Sequence, residues 1–502
     1  MKRLPRGTGW LAIALLGLLP GLVEAQGYRL RLESRVQRVM YRGLAMDSIP
    51  VGDVVTGPTG GLRTPDNFAV RCPPGSAYCF YFRAGPELTG GPMVTTADLT
   101  LWGLGIPGVS VRMNGRLGLD LDGDETWPGT DPTVQVIEAY AEYARREFTV
   151  RAGRQLLVHR LGVTGFDGGR GIVRVGQSGV EVDGYVGLGL ARATALTPTS
   201  PALDPLDEFQ PQSRQILAGG AVGYQGRLWN ARLDYQREVD RDTRNFVSEQ
   251  AALALDFRPT RHWSVAAGVD YDLANTWVGN ADAVVRYTSP QITVTGGLRQ
   301  YRPHFDLWTI WGVFSPVPYH SADAAVFVRP IRSLELRARG ERYSYYDTET
   351  ETPLVDVDND GWRLGFGASY SLGQAWRFDA GYREEYGPGA SSHGFDAFVT
   401  WLPTTALSIN AYGSTLDRPL EFRFNEASVD VLGVDAEWSA GSRLRLAIGG
   451  ARYWETRDRP DAAAFDWNQT RLHARVTLLL RSETDGFRLP PALRTRPRAG
   501  SR

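Results

Sequence analysis

Histidine, cysteine, serine and carboxylate side chains build most catalytic and metal sites, and this chain spaces them poorly for either purpose. Its six histidines are scattered from His159 to His473 with no His-x-x-x-His pair, and no Gly-x-Ser-x-Gly is present. His320-Ser321 is the sole adjacent base and nucleophile, a pairing that chance supplies often. The two cysteines, Cys72 and Cys79, lie in RCPPGSAYCFYF without the following His of a haem attachment or further metal ligands nearby. A disulfide closing a small Pro-Gly loop is the expectation. In DVDNDG, Asp356, Asp358 and Asp360 alternate like the start of an EF-hand loop, but the twelfth position is Gly367, which has no closing carboxylate. DLDGDE, Asp120 to Glu125, lacks the sixth-position Gly. Asp, Asn and Gly are ordinary turn residues, so calcium on Asp356, Asp358 and Asp360 is the minor reading. The reading is therefore of a protein without enzymatic activity and without a cofactor.

The densest charge cluster is VRAGRQLLVHRLGVTGFDGGR, residues 150–170, with four arginines, an aspartate and a histidine. Whether it reacts with something or lines something depends on the elements that carry it.

Lys2, Arg3 and Arg6 precede an apolar run from Trp10 to Leu19, and Val23-Glu24-Ala25 offers the small residues of a cleavage site. This reads as a secretory signal over 1–25, with an uncleaved N-terminal anchor as the alternative. The remainder contains no apolar stretch near the length of a membrane helix, so the chain is soluble or crosses a membrane by strands. With 57 Gly, 21 Tyr, 19 Phe and 14 Trp against 5 Met, composition favours turns and aromatic girdles. Formal net charge is −1, which implies no nucleic-acid partner.

Period-two alternation recurs along the chain. In Trp376-Arg377-Phe378-Asp379-Ala380-Gly381-Tyr382-Arg383 the even positions are apolar and the odd ones charged or Gly. Segments of this kind run about eleven to fourteen residues, long enough to cross a bilayer at a tilt and longer than ordinary strands. Tight turns such as Ser289-Pro290, Arg329-Pro330-Ile331 and Leu402-Pro403-Thr404 interleave with longer polar loops, among them 42–92, 157–169 and 347–359. The fold class expected is all-β: a single antiparallel transmembrane β-barrel over 26–481 of about 22 strands, within a range of 18–22. Loop 42–92 belongs to it, and a basic tail follows over 482–502.

The parity assigns Arg232, Arg299, Arg337, Arg339, Arg377, Asp379, Arg383, Arg443, Arg445, Arg471 and Arg475 to the lumen. Rings of charge there would select small polar or anionic solutes. The competing reading is that these charges pair across neighbouring strands and hold the wall together.

Ala139-Tyr140-Ala141-Glu142-Tyr143, Gly153-Arg154-Gln155, Phe166-Asp167-Gly168 and Arg170, followed by Gly176-Gln177-Ser178-Gly179, resemble a region of the alginate-export family of outer-membrane porins. The likeness covers about fifty residues. It implies an outer-membrane location, an arginine-rich lumen for an acidic saccharide, and Arg154, Asp167 and Arg170 at a constriction; strand parity adds Arg151 to that constriction. Family members have eighteen strands, fewer than counted here, and segment 42–92 has no counterpart. The function expected is passive conduction of small polar or anionic solutes by a barrel embedded in outer-membrane lipid. The alternative is a sheath around a partner protein in the lumen, such as a multihaem cytochrome electron conduit.

Overall fold

The computed structural model describes residues 27–57, 60–66, 68–122, 134–190, 215–302, 318–346, 359–387, 390–417, 427–457 and 468–482. The signal-like segment 1–25, Asp356, Asp358 and all but Ser482 of the basic tail lie outside them.

The chain opens with a long strand, β1 (Gly27–Pro50), two short ones, β2 (Val55–Thr56) and β3 (Leu62–Arg63), and a return strand, β4 (Tyr78–Gly90). Next come β5 (Pro92–Trp102), β6 (Val109–Asp120), β7 (Val134–Ala144), β8 (Phe148–His159), β9 (Gly162–Val175), β10 (Val180–Gly189) and β11 (Ile216–Gln225). They are followed by β12 (Trp229–Val239), β13 (Phe246–Phe257), β14 (Trp263–Asp272), β15 (Trp277–Thr288), β16 (Ile292–Tyr301), β17 (Tyr319–Ile331) and β18 (Leu334–Tyr345). The last are β19 (Asp360–Leu372), β20 (Trp376–Gly387), β21 (Ala390–Thr404), β22 (Leu407–Asp417), β23 (Ala427–Ala440), β24 (Leu444–Arg457) and β25 (Gln469–Arg481).

β5 to β25 pair in sequence order, each antiparallel to the next. β1 closes the ring, joining β25 from Arg29↔Arg481 to Arg38↔Leu472 and β5 from Gly27↔Trp102 to Val36↔Met93. The large sheet holds 23 strands; leaving out β4, which pairs only above the ring, the closed barrel has 22. Closure gives each of the 22 ring strands a partner on both sides, which is what permits a sheet to stand in lipid.

Alternation partitions the two faces as the sequence implies. Leu233, Val285, Leu298, Phe366, Leu432, Ile448 and Leu472 project outward and are exposed, while their neighbours in sequence turn inward. Aromatic residues collect at both ends of this apolar face. Trp376 stacks on Trp401 at one rim, Trp263 meets Tyr287 at the same rim, and Tyr386 contacts Trp362 at the other. Trp376 and Tyr386 are ten residues apart on β20, which at a 40° tilt is roughly 25 Å along the barrel axis, the height of a membrane's apolar band.

Two turns sit further along than the sequence suggests. β17 runs through Pro330 to Ile331, and β21 through Pro403 to Thr404, with the register shifting between Val328 and Ile331 and between Trp401 and Thr404. Each proline occupies a bulge just before the turn, where its missing N–H costs no ladder bond.

Segment 42–92, expected as a loop, contains a two-stranded ribbon. β1 continues past the barrel and pairs with β4 from Val39↔Gly90 to Pro50↔Tyr78. Cys72 and Cys79 are disulfide-bonded at its tip, Arg83 pairs with Asp47 at 2.7 Å, and Phe68 covers Tyr81. Reducing the disulfide, or Cys72→Ser, is expected to cost the tip about 2 kcal/mol and leave the barrel intact. Limited proteolysis should then cut within 51–77 while the heat-modifiable folded band on a gel persists; loss of that band would contradict it.

Candidate functional site

Segment 157–169, expected as an outward loop, is instead the upper part of a β-hairpin. β8 and β9 stay paired from Phe148↔Val173 to His159↔Gly162, and only Arg160 and Leu161 form the turn. A local cause is visible, since Gly162 adopts φ +117 and closes the tight turn.

This hairpin leaves the wall. β7 pairs with β8 only up to Ala139↔Arg154, and β10 pairs with β9 only up to Gly189↔Phe166. The departure line is a row of three glycines in register, Gly153↔Gly168↔Gly187. Gly153 has φ +127, and a Cβ on any of the three would overlap the backbone of the adjoining strand. Without side chains the three backbones can close up and fold over.

The bend points into the lumen. Phe166 and Leu157 are buried against Tyr185 of β10 and Leu217 of β11. Thr164 donates a hydrogen bond to Gln236 of β12. Arg160, at the tip, donates through Nη2 to Asp282 Oδ1 of β15 at 2.5 Å and lies 3.4 Å from Asp270 of β14. All these wall residues have inward parity, opposite to the exposed Val186, Val222, Leu233, Tyr271 and Val285. The hairpin thus straps across the inner wall from β10 to β15, and no hairpin running up its own wall could touch β14. From Gln155 to Arg160 six residues span roughly 20 Å. The opposite face of the strap, with Leu156, Val158 and Val163, is exposed.

The sequence-derived residues fall around this strap. Arg154 grips Asp167 with two bonds, 2.7 and 3.0 Å, and reaches the Val136 carbonyl. Arg151 and Arg170 face each other in register just below the glycine row. Arg151 donates to Glu142 at 2.6 Å with its guanidinium over Tyr140. Arg170 binds both oxygens of buried Asp183, which also receives Arg232. Only Arg154 and Asp167 of these four meet each other. Charge-assisted, bidentate geometry makes these pairs rigid supports at the hairpin's base. The parity of the sequence places Asp270 on the lumen face, but Arg160 and Asp282 were missed by the sequence reading; the available signal was an arginine just ahead of Gly162 in a run that still alternates.

Elsewhere on the inner wall, Arg377 pairs with Asp379, Arg475 with Glu437, and Arg471 with Gln469 beside Tyr453. Arg443 lies in the turn between β23 and β24, where its carbonyl accepts from Leu479. Arg299, Arg337, Arg339, Arg383 and Arg445 have no ion-pair partner among the described residues. A cavity of about 680 Å³ lies beside the Arg160–Asp282 contact, with Asp282, Arg299, Ser321 and Tyr343 in its lining.

His320 and Ser321 do not form a catalytic pair. Ser321 is buried while the exposed His320 ring contacts Tyr346, because neighbours on a strand point to opposite faces. Asp360, the described member of the calcium candidates, receives Arg342 at 3.0 Å. No group of three metal-ligating side chains occurs among the described residues.

A closed sheet with a lipid-facing apolar band, two aromatic girdles and a charged interior admits one setting. The chain is an outer-membrane β-barrel. β1 begins and β25 ends at the periplasmic rim, where every described connection is short, and the ribbon rises from the extracellular rim. Not all extracellular connections are long: those after β8, β12, β14 and β20 span six residues or fewer.

No protein-family model matches the chain, and no curated protein does. Among solved structures it is similar to Pseudomonas aeruginosa OccK3 (OpdO), at 12% identity over 90% of this chain and 96% of that one, TM-score 0.38. It is similar to Acinetobacter baumannii OccAB2 at 12% identity over 90% and 98%, TM-score 0.38. The copper transporter OprC shares 12% identity over 89% of this chain and 80% of its own, TM-score 0.44. Likenesses this distant carry no argument about function, which rests on the barrel itself.

Proposed function

We propose that the protein is a channel that passively conducts small polar or anionic solutes across the outer membrane, with the β8–β9 strap as its constriction. The observation that carries this reading is the strap: one hairpin folds inward across the wall from β10 to β15 and is pinned there by Arg160, in a barrel far too wide for side chains alone to fill. The pairs Arg151–Glu142, Arg154–Asp167 and Arg170–Asp183 then act as its footing. Wall arginines line the path. The five without ion-pair partners favour anions, and the paired ones, Arg232, Arg377, Arg471 and Arg475, contribute shape more than net charge. The alginate-export likeness around residues 139–179 extends the proposal to acidic saccharides as the solute.

Purified protein in a planar bilayer should give steady single-channel steps in KCl with a modest preference for chloride. Absence of steps from protein that still shows the heat-modifiable band would overturn the reading. Isolation of the barrel only as a stable complex with a lumen-bound polypeptide would replace it with a sheath.

A further inference from the structure

The inner wall carries a second pattern, in which long polar side chains stand directly across from glycines. Arg337 is in register with Gly367 and Arg339 with Gly365. Each arginine lies down over its glycine. A Cβ on Gly365 would come within 2.8 Å of Arg339 Nε and 3.0 Å of its Cγ, and one on Gly367 would overlap Arg337 Nε. On the other side β17 offers only Phe327 and Ala325, which cannot accept a hydrogen bond through their side chains. The same bed recurs for tyrosines, with Tyr343 over Gly361 and Tyr412 over Gly433.

What a Cβ would strike separates these glycines from the row at the hairpin's base. There the obstacle is backbone; at Gly365 and Gly367 it is the movable part of an arginine. Alanine can therefore be accommodated by swinging the guanidinium off the wall toward the lumen. We infer that Gly365 and Gly367 are selectivity-determining residues, which set how far the guanidinium groups of Arg339 and Arg337 stand into the conduction path. A guanidinium flat on the wall is screened by water and remote from the axis; one standing up acts on every passing ion.

The inference rests on the channel reading, and bilayer recording separates the two. Gly365→Ala/Gly367→Ala protein should show a lower unitary conductance and a chloride-to-potassium permeability ratio raised roughly twofold. The rise should vanish when Arg337→Gln and Arg339→Gln are added. In the glycine-bearing protein the same two glutamines should change the ratio less than they do in the alanine background. A conducting wild type whose folded alanine variant keeps the wild-type ratio overturns the inference alone, as does a shift that survives the glutamines. Should the alanine variant not fold, a full-sized effect of the glutamines in the glycine-bearing protein overturns it equally. A wild type that does not conduct removes the channel reading and this inference with it.

Discussion

Arg160→Ala should raise the single-channel conductance, by roughly twofold if the strap is the narrowest element, and should make the current noisier. Arg160 is the residue that pins the tip of the strap, and its two carboxylate partners lie on β14 and β15, five and six strands along the wall from β9. Its side chain is mostly buried, and so is that of Asp270, so the contact is less screened than a surface pair and its loss leaves carboxylates without their counter-charge. The hydrophobic footing at Phe166, Leu157, Tyr185 and Leu217 remains in the variant, which is why the tip alone should loosen. Asp270→Asn/Asp282→Asn should reproduce the effect from the other side. Conductance and noise unchanged in both variants would mean that the strap does not limit the current.

Gly168→Val should prevent correct assembly. Gly168 is the centre of the row, flanked by Gly153 on β8 and Gly187 on β10, and any Cβ there would overlap the Val186 carbonyl. Because the obstacle is backbone, relief requires the strands to separate, at an expected cost above about 3 kcal/mol. Gly153→Val adds a backbone penalty, since φ +127 is a conformation that a β-branched residue does not adopt. The check is the heat-modifiable band of membrane-inserted protein, which should be lost or sharply reduced for both variants. A wild-type yield of folded protein would show that the bend does not depend on close backbone approach.

The barrel was largely legible in the sequence because its cause is local. A strand with lipid on one side and water on the other must alternate, so Trp376 to Arg383 or Leu472 to Thr477 declare both their conformation and their orientation. The lumen assignments of Arg232, Arg337, Arg377 and Arg475 come from that parity. Arg443 satisfies the same parity yet lies in a turn, because period two says nothing about where a strand stops.

The failures share a different cause. Segment 42–92 reads as a loop since nothing in residues 39–50 signals that their partners are 78–90; that pairing is a non-local hydrogen-bond choice. Residues 155–166 keep the alternation of a strand, but no periodicity encodes which way a hairpin bends. Arg160 was passed over for the same reason, as its partners are 110 and 122 residues distant in the chain.

The sequence by itself therefore determined the strand set, the two faces and the setting in an outer membrane, all consequences of how each residue partitions between lipid and water. Only the tertiary structure decided that Gly153, Gly168 and Gly187 align into one fold line, that the hairpin above them straps across the inner wall to β15, and which arginines lie over glycines and which over carboxylates. Those outcomes depend on register between strands, and register is a property of the closed sheet that no single segment carries.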